Sequence, residues 1–486
     1  MNEVLIGLKP EAIWKYFAEI LQIPRPSKKE EKIVAYLIDF AKKHHLDYKQ
    51  DEVGNVLIMA EATPGFEKRK AVILQSHVDM VCEKNSDKVH DFEKDPIEVF
   101  IEDGWVKARG TTLGADDGIG IAAQLAILAA KDIEHGPISC LFTIDEETGL
   151  TGAFGLKAGF LEGKILLNLD SEDEGELFIG CAGGKDTVIE LPYTMEKAEA
   201  GLTFYRLDIK GLKGGHSGDD IHKGLANANK LLTRILWQGT KDFGLRLNYL
   251  EGGNLRNAIA REGHAIVGLP KDQQKAFAAF VEKSKVEMAY EFEVTEPNFA
   301  ILLSDSAPKD TLMLADDQQK LLNSLYACPH GVIAWSQRIP DFVETSTNLA
   351  AVRMEDGKAL ITTSQRSSVE SSKEDIANMV ASCFAMTGAK VRHSNGYPGW
   401  APDPKSEIRA ITVESYKTLF DQEPDVKAIH AGLECGLIGD KYPGMDMISF
   451  GPTIKGAHSP DERLNIETVD KFWKLTLDVL KKIPTE

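Results

Sequence analysis

Short apolar segments that are typical of buried strands recur along the chain, and helical segments separate several of them. The predicted strands are Ala71–Gln75, Ile138–Ile144, Lys164–Leu169 and Met447–Phe450, and the predicted helices include Ile119–Ala130 and Glu467–Lys482. Strands that alternate with helices indicate an α/β fold, with a mostly parallel central sheet flanked by helices. In such sheets, ligands bind beyond the carboxyl ends of the strands.

Residues that can bind metals or move protons follow these predicted strands. They are His77, Glu146, Glu147, Asp170 and His458. Polar residues are common in turns, so one such residue would carry little weight. Their recurrence, with His and Glu among them, favours one shared site. Imidazole and carboxylate without thiolate suit divalent ions, with Zn²⁺ favoured and Co²⁺ or Mn²⁺ as substitutes.

Two further features can be interpreted in two ways. Asp116 and Asp117 are adjacent in the stretch Thr112–Gly120, and neighbouring carboxylates repel each other unless a cation or hydrogen-bond donors neutralise them. Aspartate is also a good helix N-cap, which is the simpler interpretation of this stretch alone.

In an extended segment His77 and Asp79 point the same way, as in a metal-binding histidine held by a carboxylate. A core histidine with its own hydrogen-bond partner is the alternative.

Length and charge limit the class of protein. A chain of 486 residues is too long for one ordinary core, so we expect two domains. The formal charge of 56 − 75 = −19 makes nucleic acid and anionic membrane poor partners. No apolar run reaches membrane-spanning length, and residues 1–9 lack a signal-peptide pattern. The six scattered cysteines, without a CxxC pair, are typical of reduced thiols in a cytoplasmic protein.

The metal-binding pattern stops in the middle of the chain, which predicts an insertion. We expect a catalytic domain formed by residues 1–186 and 397–486, and an α+β lid domain over residues 187–396. Strands and helices follow each other there in two similar rounds, which suggests an internal duplication. Glu355–Lys358 predicts a hairpin turn. Nearer the start of the chain, Ser27 and Glu30 have the spacing of a capping box.

Glycine-rich segments occur twice in this region. His216 lies in Gly211–Gly218, where the glycines allow close approach of the backbone to a ligand, although a plain turn would have the same composition. The segment Gly180–Asp186 contains Gly-Lys but lacks the spacing and the Ser or Thr of a phosphate-binding loop. The HExxH helix of single-zinc proteases does not occur in the sequence.

Five motifs in this order resemble those of the dinuclear zinc exopeptidases, and the resemblance covers essentially the whole chain. The motifs are Ser76–Asp79, Leu113–Gly118, Asp145–Glu147, Asn168–Asp170 and Gly456–Pro460. The sequence is most similar to the branch of bacterial Xaa-His dipeptidases. The resemblance implies two Zn²⁺ per chain, with Asp116 bridging them, His77 and Asp170 completing one site, and Glu147 and His458 completing the other. It also implies that Asp79 supports His77, that Glu146 is the general base, and that the Asp116–Asp117 peptide is cis.

The same resemblance assigns substrate contacts and an activity. It implies that His216 stabilises the oxyanion, that Asn257 and Arg366 hold the substrate carboxylate, and that Gly432 and Glu434 lie at the other end of the substrate. The expected reaction is hydrolysis of unblocked dipeptides, including Xaa-His and β-alanyl-histidine, by a metal-activated water. The expected partners are small peptide substrates, and a homodimer stays open. The alternatives are an N-acyl amino acid deacylase and a non-catalytic metal-dependent binding protein.

Overall fold

A computed structural model describes residues 3–485 of the chain, which form two compact units. Unit 1 runs to Gly180 and also contains Pro402–Ala428 and the chain from Leu433 onward. Unit 2 contains Cys181–Ala401 and Ile429–Gly432. The second unit is therefore inserted into the sequence of the first.

The helices alternate with strands over much of the described chain. In chain order they are α1 Glu11–Ile20, α2 Glu31–His44, α3 Ala115–Ala129, α4 Glu146–Gly149, α5 Thr151–Gly155, α6 Ala228–Phe243, α7 Gln274–Glu291, α8 Ala315–Ala327, α9 Glu370–Ala385, α10 Glu407–Phe420, α11 Glu434–Lys441 and α12 Ile466–Lys482. Short 3₁₀ turns cover Glu3–Leu5 and Lys271–Gln273.

Within residues 3–485 the strands form two large and two small sheets. In chain order they are β1 Asp47–Gln50, β2 Val56–Ala60, β3 Val72–His77, β4 Val99–Glu102, β5 Trp105–Ala108, β6 Ile138–Thr143, β7 Ile165–Asn168, β8 Glu176–Cys181, β9 Gly183–Pro192, β10 Met195–Lys197, β11 Leu202–Lys210, β12 Arg246–Gly252, β13 Gly263–Pro270, β14 Ala300–Asp305, β15 Thr311–Met313, β16 Gly331–Trp335, β17 Val343–Glu355, β18 Lys358–Ser367, β19 Lys390–His393, β20 Asp425–Ile429, β21 Asp446–Ser449, β22 Ile454–Lys455 and β23 Arg463–Asn465.

The large sheet of unit 1 has a parallel centre. Its strand order is β1-β2-β6-β3-β7-β21-β8-β20, and β6, β3, β7 and β21 run parallel to one another. Every residue of β3, β6 and β7 is buried, as expected for strands covered on both faces. Helix α3 packs against β3 and α1 and is buried on nearly all sides, which explains its almost wholly apolar sequence. The α/β class predicted from the sequence is confirmed.

Unit 2 is built on an antiparallel sheet. Its order is β14-β11-β13-β12-β17-β18-β9-β19, with β16 paired to β17, and only two residue pairs join β12 to β17. Each side of that narrow junction carries strands and helices, and one apolar core continues through both sides. Strands β17 and β18 are connected by Asp356 and Gly357, which confirms the predicted hairpin.

The predicted capping box at Ser27 and Glu30 is wrong. Helix α2 begins at Glu31 without a side-chain cap. Instead, the Ser27 hydroxyl donates to Asp79 at 2.8 Å, and Glu30 accepts from the backbone N–H groups of Lys28 and Asp145. Both side chains therefore hold loops near the strand ends. Among residues 3–485, the helices are too short or too polar to cross a bilayer.

Candidate active site

The carboxyl ends of three neighbouring parallel strands bring the predicted residues of unit 1 together. His77 is the last residue of β3, Glu146 and Glu147 begin α4 just after β6, and Asp170 follows β7. In the β3–β6 register His77 stands opposite Thr143, so the ends of these strands are level. The site therefore follows directly from the parallel order of the sheet.

Asp116 lies between the two histidines of this edge. Its Oδ1 is 3.0 Å from Nε2 of His77, and its Oδ2 is 3.1 Å from Nε2 of His458. The same nitrogen of His77 is 3.5 Å from Asp170 Oδ1, and that of His458 is 3.0 Å from Glu147 Oε2. Each imidazole nitrogen thus faces two carboxylates, and Asp116 belongs to both sets.

This arrangement fits divalent ions better than hydrogen bonds alone. A single ring nitrogen carries at most one proton, so it cannot donate to two carboxylates at once. Ligands about 2.0–2.2 Å from a tetrahedral ion lie roughly 3.3–3.6 Å from one another, close to the separations seen here. The ligand atoms of His77, Asp116 and Asp170, and those of Asp116, Glu147 and His458, lie within 4.8 Å of one another in each group. These residues can hold two ions that share Asp116.

The electrostatics of the two groups point the same way. Burial disfavours a charged His77, but the carboxylates of Asp170 and Asp116 outweigh it and raise its pKa well above the ordinary value. Hydrogen bonds to Asp116 and Glu147 raise the pKa of His458 to about 11. Burial raises the pKa of Asp170 to about 6 against the opposing effect of His77. Surplus negative charge at this edge attracts cations.

Asp79 holds the residues around the group of His77, Asp116 and Asp170. Its Oδ1 lies 3.3 Å from Nδ1 of His77, and its two oxygens accept the backbone N–H groups of Glu146 and Glu147 at 3.0 and 3.2 Å. Burial would raise the pKa of Asp79, but His77 and these donors lower it to about 2. An ionised Asp79 therefore fixes both the ring of His77 and the first turn of α4.

Glu146 stands next to the ligand groups without belonging to the two that share Asp116. Its carboxylate lies within 4.8 Å of His77 and Glu147, yet in the described part of the chain it forms no salt bridge with either histidine. Burial raises its pKa well above the usual range, and Asp170 and Glu147 add to the shift. A carboxyl group whose pKa is raised by burial suits a general acid–base role.

The two adjacent aspartates have different roles. Asp116 faces the histidines, whereas Asp117 is buried and accepts the N–H of Gly120 at 3.1 Å. The backbone is non-helical at both residues, and the peptide bond between them is cis, as the resemblance implied. Asp117 therefore has the capping contact of the simpler interpretation, whereas Asp116 faces the histidines and stays a candidate ligand.

Glu434 is the first residue of α11 and is fully buried in unit 1. Its Oε2 accepts from Gln75 at 2.7 Å and from Thr143 at 2.6 Å, while Oε1 has no hydrogen-bond partner. Burial raises its pKa to about 7 despite the Thr143 bond and the charge of His77. This buried carboxylate has one oxygen free to accept a donor.

A second cluster lies in unit 2. Nδ1 of His216 is 3.1 Å from Asp219, and its Nε2 is 3.4 Å from a terminal nitrogen of Arg366. The other terminal nitrogen of Arg366 donates to the Tyr397 hydroxyl at 3.1 Å. Arg366 is only 8% exposed and has no carboxylate partner within salt-bridge distance among residues 3–485. A buried guanidinium without an ion-pair partner can bind an anion.

The other predicted residues of this region lie on adjoining backbone. The carbonyl of Asn257 accepts the N–H of Ser217 at 2.8 Å, so its loop runs beside His216, with the Asn257 side chain exposed. Gly432 lies against the ring of Tyr397, where a side-chain carbon would come within 2.8 Å. The glycine leaves room for the Tyr397 ring beside Arg366.

Four residues of these clusters were not predicted from the sequence. They are Arg25, Asp219, Tyr397 and Glu462. Asp219 lies three residues after His216, and Glu462 lies four residues after His458. This spacing is the sequence pattern that could have indicated them. Nothing in the sequence around Arg25 or Tyr397 points to the site.

Comparison with known proteins gives one consistent picture. Residues 73–482 match the family described as Peptidase family M20/M25/M40. The cytosol non-specific dipeptidase of Escherichia coli is 45% identical over 482 residues, which is 99% of each chain. The crystal structure of aminoacylhistidine dipeptidase from Vibrio alginolyticus is 44% identical, with a TM-score of 0.94 and full coverage of both chains. The aminopeptidase PepT of Bacillus cereus shares the fold at 15% identity, with a TM-score of 0.59 over 98% of this chain.

Proposed function

The chain belongs to peptidase family M20/M25/M40, and from this premise we propose that it hydrolyses unblocked dipeptides, including Xaa-His and β-alanyl-histidine. The names of its relatives from E. coli and V. alginolyticus support this substrate class. We further propose that two Zn²⁺ ions serve the reaction and that the protein works in the cytoplasm. The cytosolic relative and the all-N/O ligand set support these two points.

The observation that carries the proposal is the pair of ligand groups with a spare carboxylate beside them. Asp116 is shared between His77 and His458, and Glu146 stands within reach without pairing to either histidine. A protein that only binds metal needs the ligands but no additional carboxylate in this position. The geometry therefore favours catalysis over a non-catalytic binding protein.

Glu146 is the proposed general base and acid of this site. Divalent ions, when bound, polarise the scissile carbonyl and bring the pKa of water towards neutrality. Glu146 accepts the proton of the attacking water and returns it to the leaving amine. The backbone bond from Glu146 to Asp79 keeps its main chain fixed relative to His77 while the side chain stays free to move a proton.

The cluster of unit 2 is the proposed site for the substrate carboxylate. Arg366 offers a planar fork of donors, and Tyr397 adds a hydroxyl beside it. We propose that Asn257 contributes to the same carboxylate and that His216 stabilises the oxyanion of the transition state. The free oxygen of Glu434, in unit 1, is the proposed acceptor for the substrate amine. Gly432 lies against Tyr397 instead, on the side of the proposed carboxylate site.

Kinetic comparison of Ala-His, Ala-His-amide and Ala-His-Ala at matched concentrations tests the proposal. We expect high kcat/KM for the free dipeptide alone, because the amide and the tripeptide do not place a carboxylate at Arg366. Equal values for all three would indicate a general aminopeptidase instead. N-acetyl-alanine serves as the fourth substrate, and faster turnover of it than of Ala-His would indicate a deacylase.

A further inference from the structure

Glu462 holds the backbone of the segment that carries Asp116. Its carboxylate is buried, and its Oε2 accepts the N–H groups of Leu113 and Gly114 at 2.7 and 3.0 Å. Its Oε1 accepts those of Ala115 and Asp116 at 2.8 and 3.4 Å. Four consecutive backbone donors thus converge on one side chain that is more than 340 residues away in sequence.

The segment that supplies Glu462 also supplies a histidine of the site. His458 lies four residues earlier, in the loop between β22 and β23, and has a left-handed backbone with φ of 63°. The N–H of Glu462 donates to the carbonyl of Ser459 at 3.1 Å, which closes a tight turn after His458. The distance between His458 and Asp116 is therefore set by a short and well-bonded stretch of chain.

Arg25 holds the same segment from its other side. Its guanidinium is buried and donates to the carbonyl of Gly114, and also to the carbonyls of Val78 and Asp79 at 2.9 and 2.6 Å. The Asp116 segment is thus tied to the loop after His77 by Arg25 and to the loop after His458 by Glu462. Both histidine segments are connected to the carboxylate that lies between them.

The Asp79 contacts repeat this design in the other half of the site. Asp79 lies two residues after His77 and accepts the N–H groups of Glu146 and Glu147. Each histidine segment therefore carries a second, buried carboxylate that binds the backbone of a segment bearing a carboxylate ligand. Asp79 does so for Glu147, and Glu462 does so for Asp116.

We propose that Glu462 is a positioning residue that fixes Asp116 relative to His458. It thereby determines how tightly an ion is held by the group of Asp116, Glu147 and His458. This inference rests on the proposed two-ion function. A carboxylate has two acceptor oxygens, and here each serves two N–H groups. In Glu462→Gln one oxygen becomes an NH₂ group that cannot accept, so two buried N–H groups lose their partner and face another donor. The Asp116 segment would then relax away from the geometry that Asp116 and His458 require.

Titration of the metal-free protein with Co²⁺, followed by calorimetry and by the visible absorption of the bound ion, tests this role. For Glu462→Gln we expect one of the two ions to bind about 10- to 100-fold more weakly, the range found when residues behind metal ligands are changed. We also expect an altered Co²⁺ spectrum, which a loss of general stability would not produce. Glu462→Asp keeps the charge but is too short to reach all four N–H groups, so intermediate affinity is expected.

Asp446→Asn is the matched control. Asp446 also accepts backbone N–H groups with a carboxylate, from Glu407 and Ile408 at 2.9 and 3.0 Å, and it accepts the Ser406 hydroxyl as well. It is the first residue of β21 in unit 1, its partners lie at the start of α10, and it is outside the ligand groups. This variant should lower the melting temperature without changing Co²⁺ affinity or spectrum.

The outcomes separate this inference from the function on which it rests. Failure of the wild-type protein to bind two ions would overturn the proposed function. Two-ion binding by the wild type, with unchanged affinity and spectrum in Glu462→Gln, would overturn the positioning role. An equal change in Asp446→Asn would also overturn it. If Glu462→Gln does not fold, the Co²⁺ affinity of Glu462→Asp decides the question.

Discussion

Replacement of Arg366 should convert the enzyme from one that requires a free substrate carboxylate to one that is indifferent to it. Two of the five N–H donors of this guanidinium are directed at Tyr397 and His216, which leaves three, including a buried and unpartnered Nε. Each hydrogen bond to a charged group contributes about 1.5–3 kcal/mol. Loss of two such bonds in Arg366→Ala should cost about 3–6 kcal/mol, or a loss of roughly 10²- to 10⁴-fold in kcat/KM for Ala-His.

The amide substrate distinguishes this loss from general damage. Ala-His-amide cannot form the carboxylate contact, so its kcat/KM should change by less than about 10-fold in Arg366→Ala. Arg366→Lys retains the charge but not the planar fork, and should recover part of the activity on Ala-His. Arg234→Ala is the control, because Arg234 lies in unit 2 and already pairs with Glu291 at 2.7 Å. Equal losses on the free dipeptide and the amide would refute the role of Arg366.

Four further predictions follow from the described contacts. Asp116→Ala should lose both ions, because both groups share this carboxylate; two ions per chain in zinc-saturated variant protein would contradict it. Glu146→Gln should retain two ions by elemental analysis and lose roughly 10²-fold or more in kcat; an active variant would assign the base elsewhere. His216→Ala should lower kcat far more than it raises KM, and a pure KM effect would place His216 in substrate binding. Burial, aided by Arg366, lowers the pKa of His430 from 6.5 to about 3, so the unfolded chain takes up a proton first as the pH falls. The contribution to the free energy of unfolding is fully present above pH 6.5 and is lost as the pH falls towards 3. At pH 4.5 the loss amounts to about 3 kcal/mol. Urea unfolding of His430→Gln should not show this loss.

The parallel centre of unit 1 could be predicted because its strands carry a strong local signal. Strands buried on both faces are continuous apolar runs, and β3 and β6 were placed within two residues of their observed ends. The candidate ligands His77, Glu147 and Asp170 follow these runs directly, so their convergence depends only on parallel strands that end level. Local sequence is sufficient to predict this part of the site.

Elements with broken or weak periodicity were missed. Strand β12, Arg246–Gly252, contains a register shift between Leu247 and Tyr249, which interrupts the alternation of buried residues. Helix α8, Ala315–Ala327, places its leucines on one narrow face of an otherwise polar sequence. The capping box at Ser27 failed for another reason, since the tertiary partner Asp79 competes successfully for the hydroxyl. In such places a tertiary contact overrides the local preference of the sequence for a helix cap.

Residues that act on the site from a distance could not be predicted from one sequence. The contacts of Glu462 with Leu113 and of Arg25 with Gly114 span 349 and 89 residues. No periodicity or spacing relates such positions, and the side chains themselves are ordinary charged residues. They become recognisable only when their burial and their backbone partners are known, because a buried carboxylate or guanidinium requires compensation.

The charge balance of unit 1 explains why this chain tolerates so many buried carboxylates at one edge. Asp116, Glu146, Glu147, Asp170 and Glu434 lie close together, and burial raises the pKa of Asp170 to about 6 and that of Glu434 to about 7. Such groups destabilise a fold unless positive charge balances them, and the two histidines and Arg25 balance only part of it. Two divalent ions would supply four positive charges at this edge, so part of the free energy of metal binding stabilises the fold. Buried carboxylates at the ends of apolar strands are unfavourable for the stability of the fold alone. They are also the residues from which the function could be predicted.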